Sequence, residues 1–542
     1  MKFKVIFTTL LIEKSPQALP LGAACCASAV KHHQLTKDLC DVELLAFNQE
    51  DDEYKTASGT VQAAGKYIAA RLLKSSPKLV AFSMFVWNRL VLEAAAEELH
   101  KAGVLTIAGG PEVTAHPEVF TVFDNVTTGE GENKVPQVIY QLLTGKEGLP
   151  AAQPGNFRNQ PKEKNTQSDL PEFSPYLDGT LDPAEYEGAL WELARGCPFK
   201  CSYCYESKGE KLVRQFPMDR IEKELDLFAK KKIPQVFVLD PTYNASKDRA
   251  IKLINLIAKK TPDTFYYFEA RAEFIDRQLA KAFTKIPCAL QIGLQSANED
   301  VCRLVNRPFN RKKFQQGIAA LNEEGVTFGL DVIFGLPGDS LRGYKDSIDF
   351  AINQYPNNLE LFCLSVLPGT NLFDRAEELH LNYQKEPPYH IINTDRWSKT
   401  DIEAASHLAK SCNFFYNDGR AVPWFNTICQ ALHTKPSQFF GAFYDYLIKL
   451  PAEKQASCNH KEIEEIQKDF IKEQFSQKKL TRLLNAALDI ITFNGALSRK
   501  TDTGKSEVIN LHYPVEYIDS EYAFNLEFFI NNVKMKSGRI TT

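Results

Sequence analysis

Three cysteines near the middle of the chain have a spacing that suits metal chemistry. Cys197, Cys201 and Cys204 lie four and three positions apart. No nearby cysteine or histidine completes the set of four ligands that a structural zinc site uses. Three thiolates instead suit a 4Fe–4S cluster in which one iron is left for a ligand other than protein. A zinc site with a distant fourth ligand, or a chance grouping of cysteines in one loop, is the alternative interpretation.

At these residues the chain resembles the radical S-adenosylmethionine (SAM) enzymes, whose signature is Cys-x3-Cys-x2-Cys with an aromatic residue before the last cysteine. Tyr203 stands at that aromatic position. The resemblance implies that the open iron chelates the amino and carboxylate groups of SAM. It further implies reductive cleavage of SAM to methionine and a 5′-deoxyadenosyl radical that abstracts hydrogen from a substrate. An electron donor such as flavodoxin or ferredoxin is implied as a partner.

The composition is that of an ordinary globular protein with two or three domains. Among 542 residues, 44% are hydrophobic and 24% charged, and the net charge is -4. This balance gives no general electrostatic case for binding nucleic acid or an anionic membrane. Twelve cysteines are too sparse for a disulfide scaffold, and the cysteine loop needs a reducing compartment. No stretch reaches the ~20 apolar residues of a spanning helix, so we expect a cytoplasmic protein.

Residues 1–145 alternate between strand-like and helix-like patterns. Such alternation predicts an α/β fold with a parallel, doubly wound, Rossmann-like sheet. The predicted strands span residues 2–9, 41–47, 78–83, 104–108 and 125–128, and the predicted helices span residues 61–74, 89–102 and 133–143.

The ends of three predicted strands carry small or polar residues. Ser83 follows the third strand, Gly109 and Gly110 follow the fourth, and Gly129 and Glu130 follow the fifth. Ligands bind at the carboxyl ends of strands in this architecture, and glycines there let a backbone approach a bulky ligand. These residues are therefore candidates for cofactor binding. The alternative is that they form ordinary turns, since no Gly-x-Gly-x-x-Gly fingerprint is present.

This module, placed directly before the cysteine loop, resembles the cobalamin-binding domain of cobalamin-dependent radical SAM proteins. The resemblance implies cobalamin as a further cofactor. One departure concerns the Asp-x-His-x-x-Gly motif, through which many such domains give a histidine to cobalt. Residues 8–16, after the first strand, contain no histidine. We therefore expect cobalt to have no protein imidazole.

The remainder of the chain divides into a linker, a barrel and a C-terminal region. Residues 146–188 are rich in proline and predict a linker. Repeated strand-helix units over residues 189–370 predict the partial (β/α)6 barrel that is common among radical SAM proteins. Residues 371–542 predict a mainly helical region. The predicted barrel strands span residues 190–194, 235–240, 265–271, 289–296, 327–334 and 359–366.

Alternation along two barrel strands selects further candidates for cofactor binding. Glu269 and Arg271 share one face of the third strand with Tyr267, and Gln295 lies on the polar face of the fourth. Charges inside a barrel require a partner or a ligand. We interpret Glu269, Arg271 and Gln295 as SAM contacts. The alternative is an internal ion pair between Glu269 and Arg271 that has only a structural role.

Two classes of function follow from the resemblance. The first is an enzyme that cleaves SAM reductively and, with cobalamin, methylates an unactivated carbon. A cobalamin-dependent radical cyclase or rearranging enzyme is the nearest alternative within this class. The second is a non-catalytic cobalamin or redox sensor, although an unligated iron would serve no purpose in a purely structural cluster. The sequence does not identify the substrate.

Overall fold

The computed structural model describes residues 2–146, 170–206 and 212–542. Its first part is a five-stranded parallel sheet with the order β2-β1-β3-β4-β5. The strands are β1 (Phe3–Leu11), β2 (Cys40–Asn48), β3 (Leu79–Ser83), β4 (Leu105–Gly109) and β5 (Asn125–Thr127). The accompanying helices are α1 (Leu21–His32), α2 (Asp52–Ala57), α3 (Val61–Leu73), α4 (Arg89–Lys101), α5 (Pro111–Ala115) and α6 (Val135–Thr144).

This first sheet confirms the predicted doubly wound fold. Strand β1 is buried at seven consecutive positions from Val5 to Leu11, because helices cover both faces of the sheet. Two separate apolar layers, one on each face, hold these helices. The strand order reverses between β1 and β3, which is where ligands bind in such sheets.

The second part is a six-stranded parallel sheet with the order β6-β9-β10-β11-β12-β13. Its helices cover one face, as expected for the predicted partial barrel. A short antiparallel hairpin, β7 and β8, branches off after β6. The strands are β6 (Gly188–Trp191), β7 (Ala194–Arg195), β8 (Arg214–Gln215), β9 (Gln235–Val238), β10 (Phe265–Ala270), β11 (Cys288–Gln295), β12 (Thr327–Phe334) and β13 (Asn358–Cys363). The helices are α7 (Met218–Lys231), α8 (Lys247–Lys260), α9 (Arg277–Phe283), α10 (Glu299–Leu304), α11 (Arg311–Glu324) and α12 (Leu341–Ile352).

Of the predicted linker, residues 147–169 lie outside the described residues. The segment from residue 170 to β6 packs against the barrel, where Tyr176 and Leu181 are buried. The Tyr176 hydroxyl donates a hydrogen bond of 2.7 Å to the Leu190 carbonyl. The same segment also contacts the first part of the chain, where Asp178 accepts a hydrogen bond from Ser28 on α1. This segment thus joins the first sheet to the barrel.

The C-terminal region is mainly helical, as predicted. It shares one continuous apolar core with the barrel. Its helices are α13 (Asn371–Asp374), α14 (Lys399–Cys412), a π-helical turn (Asn413–Asp418), α15 (Phe425–Ala431), α16 (Pro436–Leu447), α17 (Ala452–Gln455), α18 (His460–Gln477), α19 (Leu484–Thr503), α20 (Val515–Ile518) and α21 (Leu526–Asn532). Two small antiparallel pairs complete it: β14 (Asn382–Tyr383) with β15 (Ile391–Asn393), and β16 (Val508–Leu511) with β17 (Gly538–Thr541).

The π-helical turn covers the outermost barrel strand. The Asn417 side chain accepts a hydrogen bond from the Leu359 amide and donates one to the Leu359 carbonyl, each 3.0 Å long. Asn417 therefore reproduces the bonding of a neighbouring strand at one residue of β13. Within the described residues, no helix combines the length and the hydrophobicity that crossing a membrane requires.

A buried polar network joins the C-terminal region to the first sheet. The Tyr389 hydroxyl donates to the Glu112 carboxylate and accepts from Arg89 at 3.0 Å. The Arg89 guanidinium lies 3.5 Å from the same Glu112 carboxylate. Because all three side chains are buried, each depends on the others for hydrogen bonding. The network fixes the loop after β4, which contains Gly110.

Changing Tyr389→Phe is expected to lower the free energy of unfolding by about 1–3 kcal/mol, because it leaves the buried Glu112 carboxylate without one donor. Denaturant or thermal unfolding of the purified chain measures this loss. The control is Tyr383→Phe, since the Tyr383 hydroxyl forms no hydrogen bond within the described residues and its loss should change stability little. Equal stability of the two variants would contradict the role given to Tyr389.

Candidate functional site

The cysteine loop begins directly after β7 and is held at several backbone positions. Gly196 has φ +94°, and a Cβ there would collide with the Leu212 carbonyl across the hairpin. The Ser202 amide donates to the Val305 carbonyl at 2.9 Å, and the Ser202 carbonyl accepts from the Leu372 amide at 2.8 Å. The barrel and the C-terminal region therefore both position this loop.

The three cysteines fit an iron-sulfur cluster. All are free thiols; Cys197 is buried, and Cys201 and Cys204 are half-buried. Burial raises the pKa of Cys197, and it raises the pKa of Cys204 to about 12, so ligation must displace these protons. Within the described ranges, no three His, Cys, Asp or Glu side chains converge on a single metal ion. A cluster binds each thiolate through a different iron, which suits thiols that share a loop without meeting at one point.

Asp240 orients the chain at the entrance to the cysteine loop. One of its carboxylate oxygens accepts hydrogen bonds of 2.9 Å from the amides of Leu193 and Ala194. Burial raises the pKa of Asp240 to about 7, although these two amides oppose the shift. A buried carboxylate held by two backbone donors fixes the direction in which β7 leaves the sheet.

The face of the sheet opposite the helices carries two carboxylates on nearby strands. Within the described residues, Glu269 of β10 forms no hydrogen bond or ion pair, and Asp331 of β12 accepts one from Gln291. Glu269 is exposed on this face, yet desolvation by the surrounding protein, followed by the charges of Asp331 and Glu206, raises its pKa to about 7. Desolvation likewise raises the pKa of Asp331 to about 6. Carboxyl groups with raised pKa values on an open face are candidates for a ligand site.

Arg271 does not pair with Glu269, so the alternative of a structural ion pair between them is wrong, and the two residues do not share a strand face as predicted. Strand β10 ends at Ala270, and a 3-10 turn that starts at residue 272 turns Arg271 away from the sheet face. Arg271 instead forms an ion pair of 3.0 Å with Glu273, and its guanidinium lies 4.2 Å from the centre of the Phe199 ring. A role for Arg271 in binding SAM stays a prediction.

Gln295 and Arg307 each carry a buried polar atom without a partner among the described residues. Gln295 has φ +68°, and its buried Oε1 accepts no hydrogen bond within the described residues. Arg307 donates to the Gly293 carbonyl, while its buried Nε has no partner there. Burial, opposed by the Arg307 charge, raises the pKa of Tyr203 in the loop. No pattern in the sequence distinguishes Arg307, which follows a short helix far from the cysteines.

At the carboxyl edge of the first sheet, two loops pass closely against one another at Gly110. Gly110 has φ +111°, and a Cβ there would lie 2.6 Å from the Met84 carbonyl oxygen. Gly109 ends β4 beside Ser83, which ends β3. The Ser83 hydroxyl forms no hydrogen bond within the described residues, although its carbonyl accepts one from Thr9 at 2.9 Å. The structure therefore brings Ser83, Gly109 and Gly110 together, as predicted from their places at strand ends.

A stacked aromatic pair, with Trp87 exposed and Phe85 half-buried, lies at the same edge, at the reversal in strand order. Trp87 stacks on Phe85 with 4.5 Å between ring centres and 9° between planes. The Trp87 indole donates to the Leu10 carbonyl at 3.2 Å, yet 45% of the residue is exposed. By contrast, Trp191, Trp397 and Trp424 are at most 2% exposed. Both residues follow the predicted third strand in the sequence, but nothing there distinguishes them from core residues.

The loop after β5 connects the two candidate cofactor edges. Gly129 has φ +78°, and the next residue, Glu130, forms ion pairs with Arg214 of β8 and, at 3.4 Å, with Arg195 of β7. Glu132 pairs with the same Arg195 at 2.7 Å. These pairs fasten the first sheet to the hairpin that carries the cysteine loop. Glu130 is therefore engaged by arginines, and its contact with a cofactor stays a prediction.

Two family models match separate parts of this chain. Residues 191–351, which contain the cysteine loop and most of the barrel, match the model described as the radical SAM superfamily. Residues 377–510 match a model described as a protein of unknown function, DUF4080. The first match coincides with the elements that hold Cys197, Glu269 and Gln295. The second coincides with the helical region that covers β13.

Known proteins with similar sequence or fold include cobalamin-dependent radical SAM proteins. The cobalamin-dependent radical SAM methyltransferase TokK of Streptomyces tokunonensis is 26% identical over 330 residues, which is 55% of this chain and 48% of TokK. The chain thus spans about half the length of this curated relative.

Two solved structures share the fold. The cobalamin-dependent SAM radical enzyme OxsB, with aqua-cobalamin and SAM bound, aligns with a TM-score of 0.59 at 13% identity, covering 93% of this chain and 84% of OxsB. The radical SAM methyltransferase TsrM of Kitasatospora setae, with cobalamin and a 4Fe–4S cluster bound, aligns with a TM-score of 0.55 at 15% identity, covering 72% of this chain and 82% of TsrM.

Proposed function

We propose that this chain, whose residues 191–351 carry a radical SAM domain, is a cobalamin-dependent radical SAM methyltransferase that acts on an unactivated carbon. One observation carries the proposal: the cysteine hairpin and the carboxyl edge of a Rossmann-like sheet are joined by the ion pairs of Arg195 and Arg214 with Glu132 and Glu130. A cluster and a corrin bound at these two edges would face a common space. The free thiols suit a reducing cytoplasm.

The residues of the chain have distinct roles in this proposal. Cys197, Cys201 and Cys204 hold the 4Fe–4S cluster, which binds SAM at its open iron. Glu269 accepts hydrogen bonds from SAM, and its charge attracts the sulfonium. When bound, the cluster and SAM supply a radical that takes hydrogen from the substrate, and cobalamin supplies the methyl group. The protein binds, orients and shields these groups.

Gln295, Arg307 and Asp331 complete the proposed SAM site. The free Gln295 carbonyl oxygen accepts from a ligand amine or hydroxyl, and the free Arg307 N–H donates to a ligand carboxylate. Asp331, two strands away from Glu269, adds a second negative charge on the same face. Buried polar atoms without partners cost free energy, so a ligand that supplies those partners binds more tightly.

Analysis of the reaction products distinguishes the proposed function from its alternatives. The chain is reconstituted anaerobically with iron, sulfide and cobalamin, reduced in the presence of SAM and candidate substrates, and examined by mass spectrometry. Deoxyadenosine together with S-adenosylhomocysteine supports methylation, because a second SAM must restore the methyl group. Deoxyadenosine alone supports a cyclase or rearranging enzyme. If neither product forms, the result supports a non-catalytic sensor.

The Trp87 ring provides a specific test of cobalamin binding. Trp87→Ala is expected to weaken cobalamin binding about tenfold, because it removes an apolar surface from the edge where the corrin would lie. Trp87→Phe should retain most of the affinity. Equilibrium dialysis with hydroxocobalamin measures both dissociation constants. As a control, Phe524→Ala removes a residue that is 63% exposed in the C-terminal region and should leave binding unchanged.

Unchanged binding by Trp87→Ala would contradict the proposed place of the corrin. If the wild-type chain retains no cobalamin after anaerobic loading, the cobalamin part of the proposal fails.

The proposal also includes an external one-electron donor, of the flavodoxin or ferredoxin type, because the cluster must be reduced before it can cleave SAM.

A further inference from the structure

A groove on the outer side of the cysteine loop is open to solvent. It has a volume of about 450 Å³ and is formed by the loop itself, the turn after β10 and the segment 299–313. The Asn306 side chain donates to the Lys200 carbonyl at 2.6 Å, which ties this segment to the loop. The groove therefore borders the cysteine loop through Phe199.

Aromatic and guanidinium groups line the groove. Phe199 lies two residues after Cys197 and stacks on Phe274, with 5.9 Å between ring centres and 16° between planes. Phe274 is 43% exposed. The guanidinium of Arg271 packs on the Phe199 ring, and its Nε and Nη1 form no hydrogen bond within the described residues. Aromatic residues and arginine are enriched at the centres of protein interfaces.

The charge around the groove is positive, in contrast to the chain as a whole. The ammonium groups of Lys200 and Lys313 form no ion pair or hydrogen bond within the part of the chain that the structure describes. Arg271 and Glu273 neutralise one another at 3.0 Å. Of the other charged residues, Arg303, Arg307, Lys313 and Glu299 line the groove. Lys200 follows the lining residue Phe199, and Asp300 follows Glu299 and pairs with Arg303 at 2.7 Å. The cations therefore predominate, although the whole chain has a net charge of -4.

We infer that this groove is the docking surface for a small acidic electron-transfer protein of the flavodoxin or ferredoxin type. The inference rests on the proposed function, because a chain that cleaves SAM reductively needs such a donor. Opposite charges accelerate encounter, and weak redox complexes need only a small interface. In the transfer, a flavin hydroquinone loses one electron to become a semiquinone. The cluster gains that electron and changes from 2+ to 1+, and no bond of the chain forms or breaks.

Reversing the charges of Lys200 and Lys313 tests the proposed docking surface. In the reconstituted full chain, the double variant Lys200→Glu and Lys313→Glu is expected to lower the bimolecular rate of cluster reduction by flavodoxin hydroquinone about tenfold at low ionic strength. The difference should shrink as salt is added, because screening shortens the range of these charges. Stopped-flow absorbance follows the reduction. The matched control is Lys259→Glu, an exposed lysine at the end of α8 that changes the net charge by the same amount per site.

A second measurement separates donor docking from the other uses of the groove. With dithionite as the reductant, the double variant should cleave SAM at the wild-type rate, because dithionite needs no docking surface. Loss of cleavage under these conditions would assign the groove to SAM or substrate and overturn the inference. Flavodoxin rates that match those of Lys259→Glu would overturn it as well. A wild-type chain that cleaves no SAM with dithionite would instead overturn the proposed function.

Discussion

Replacing Cys201 with alanine is expected to abolish cluster binding and lower the rate of SAM cleavage by more than about 100-fold. Even the loss of a group that only orients a metal ligand costs roughly 10–100-fold, and Cys201 is proposed as a ligand itself. The same result is expected for Cys197→Ala and Cys204→Ala. Iron and sulfide content, the visible absorbance of the reconstituted protein and the yield of deoxyadenosine measure the change.

Cys363→Ala provides the matched control for these variants. Cys363 ends β13 on the same barrel, is half-buried, and has no proposed contact with the cluster. It should retain the iron content and the cleavage rate of the wild type. If the three loop variants kept their iron and their brown absorbance, the assignment of the cluster to this loop would be wrong. The zinc interpretation would gain support if the purified chain held one zinc ion in place of iron.

Changing Glu269→Gln is expected to raise the dissociation constant of SAM about tenfold or more at pH 8. A hydrogen bond to a charged group contributes roughly 1.5–3 kcal/mol, and the amide neither carries the charge nor accepts as strongly. Cluster content should stay unchanged, because no thiolate is altered. Equilibrium binding of SAM to the anaerobic holoprotein measures the effect.

The raised pKa of Glu269 adds a dependence on pH to this prediction. Its carboxyl group has a pKa of about 7, so the charged form that attracts SAM predominates above pH 7 and is lost as the pH falls through this value. SAM affinity of the wild type should therefore weaken between pH 8 and pH 6. In Glu269→Gln this step should disappear, leaving a weaker change near pH 6 from Asp331.

Glu273→Gln distinguishes a contact with SAM from a general loss of structure. Glu273 pairs with the buried Arg271, so its replacement should lower the melting temperature by weakening a buried charge pair. SAM affinity of the folded fraction should remain close to that of the wild type. If Glu269→Gln also lost only stability and kept its SAM affinity, the proposed role of Glu269 in binding would be rejected.

The sheets could be predicted from the sequence because their patterns are local. Strand β12 spans residues 327–334 as expected, since buried and half-buried residues alternate along its second half. The same reasoning failed at Arg271, because a strand that ends one residue earlier turns the side chain toward Glu273 and Phe199. Side chains alternate between the two faces of a strand, so the pattern predicts the face of a residue only as far as the strand extends.

The contacts that join the parts of the molecule could not be predicted in this way. Tyr389 meets Glu112 and Arg89 across 277 and 300 positions of sequence. Nothing near Tyr389 indicates a partner in the first sheet. The same holds for Arg307, whose approach to the cysteine loop depends on how the turn after α10 packs. Such residues become visible only when the fold brings them together.

The hydrogen bonds between Asn417 and β13 have a consequence for how the chain is made. All six barrel strands leave the ribosome before Asn417 does, so the nascent barrel carries an unpaired outer strand while the helical region is still being translated. Unpaired strands of this kind recruit other strands, which favours association between unfinished chains. If the barrel were placed in another protein without the residues after 370, β13 would remain an unpaired edge strand that can pair with other chains. A chimera that exchanges this barrel between relatives should therefore include the helical region as well.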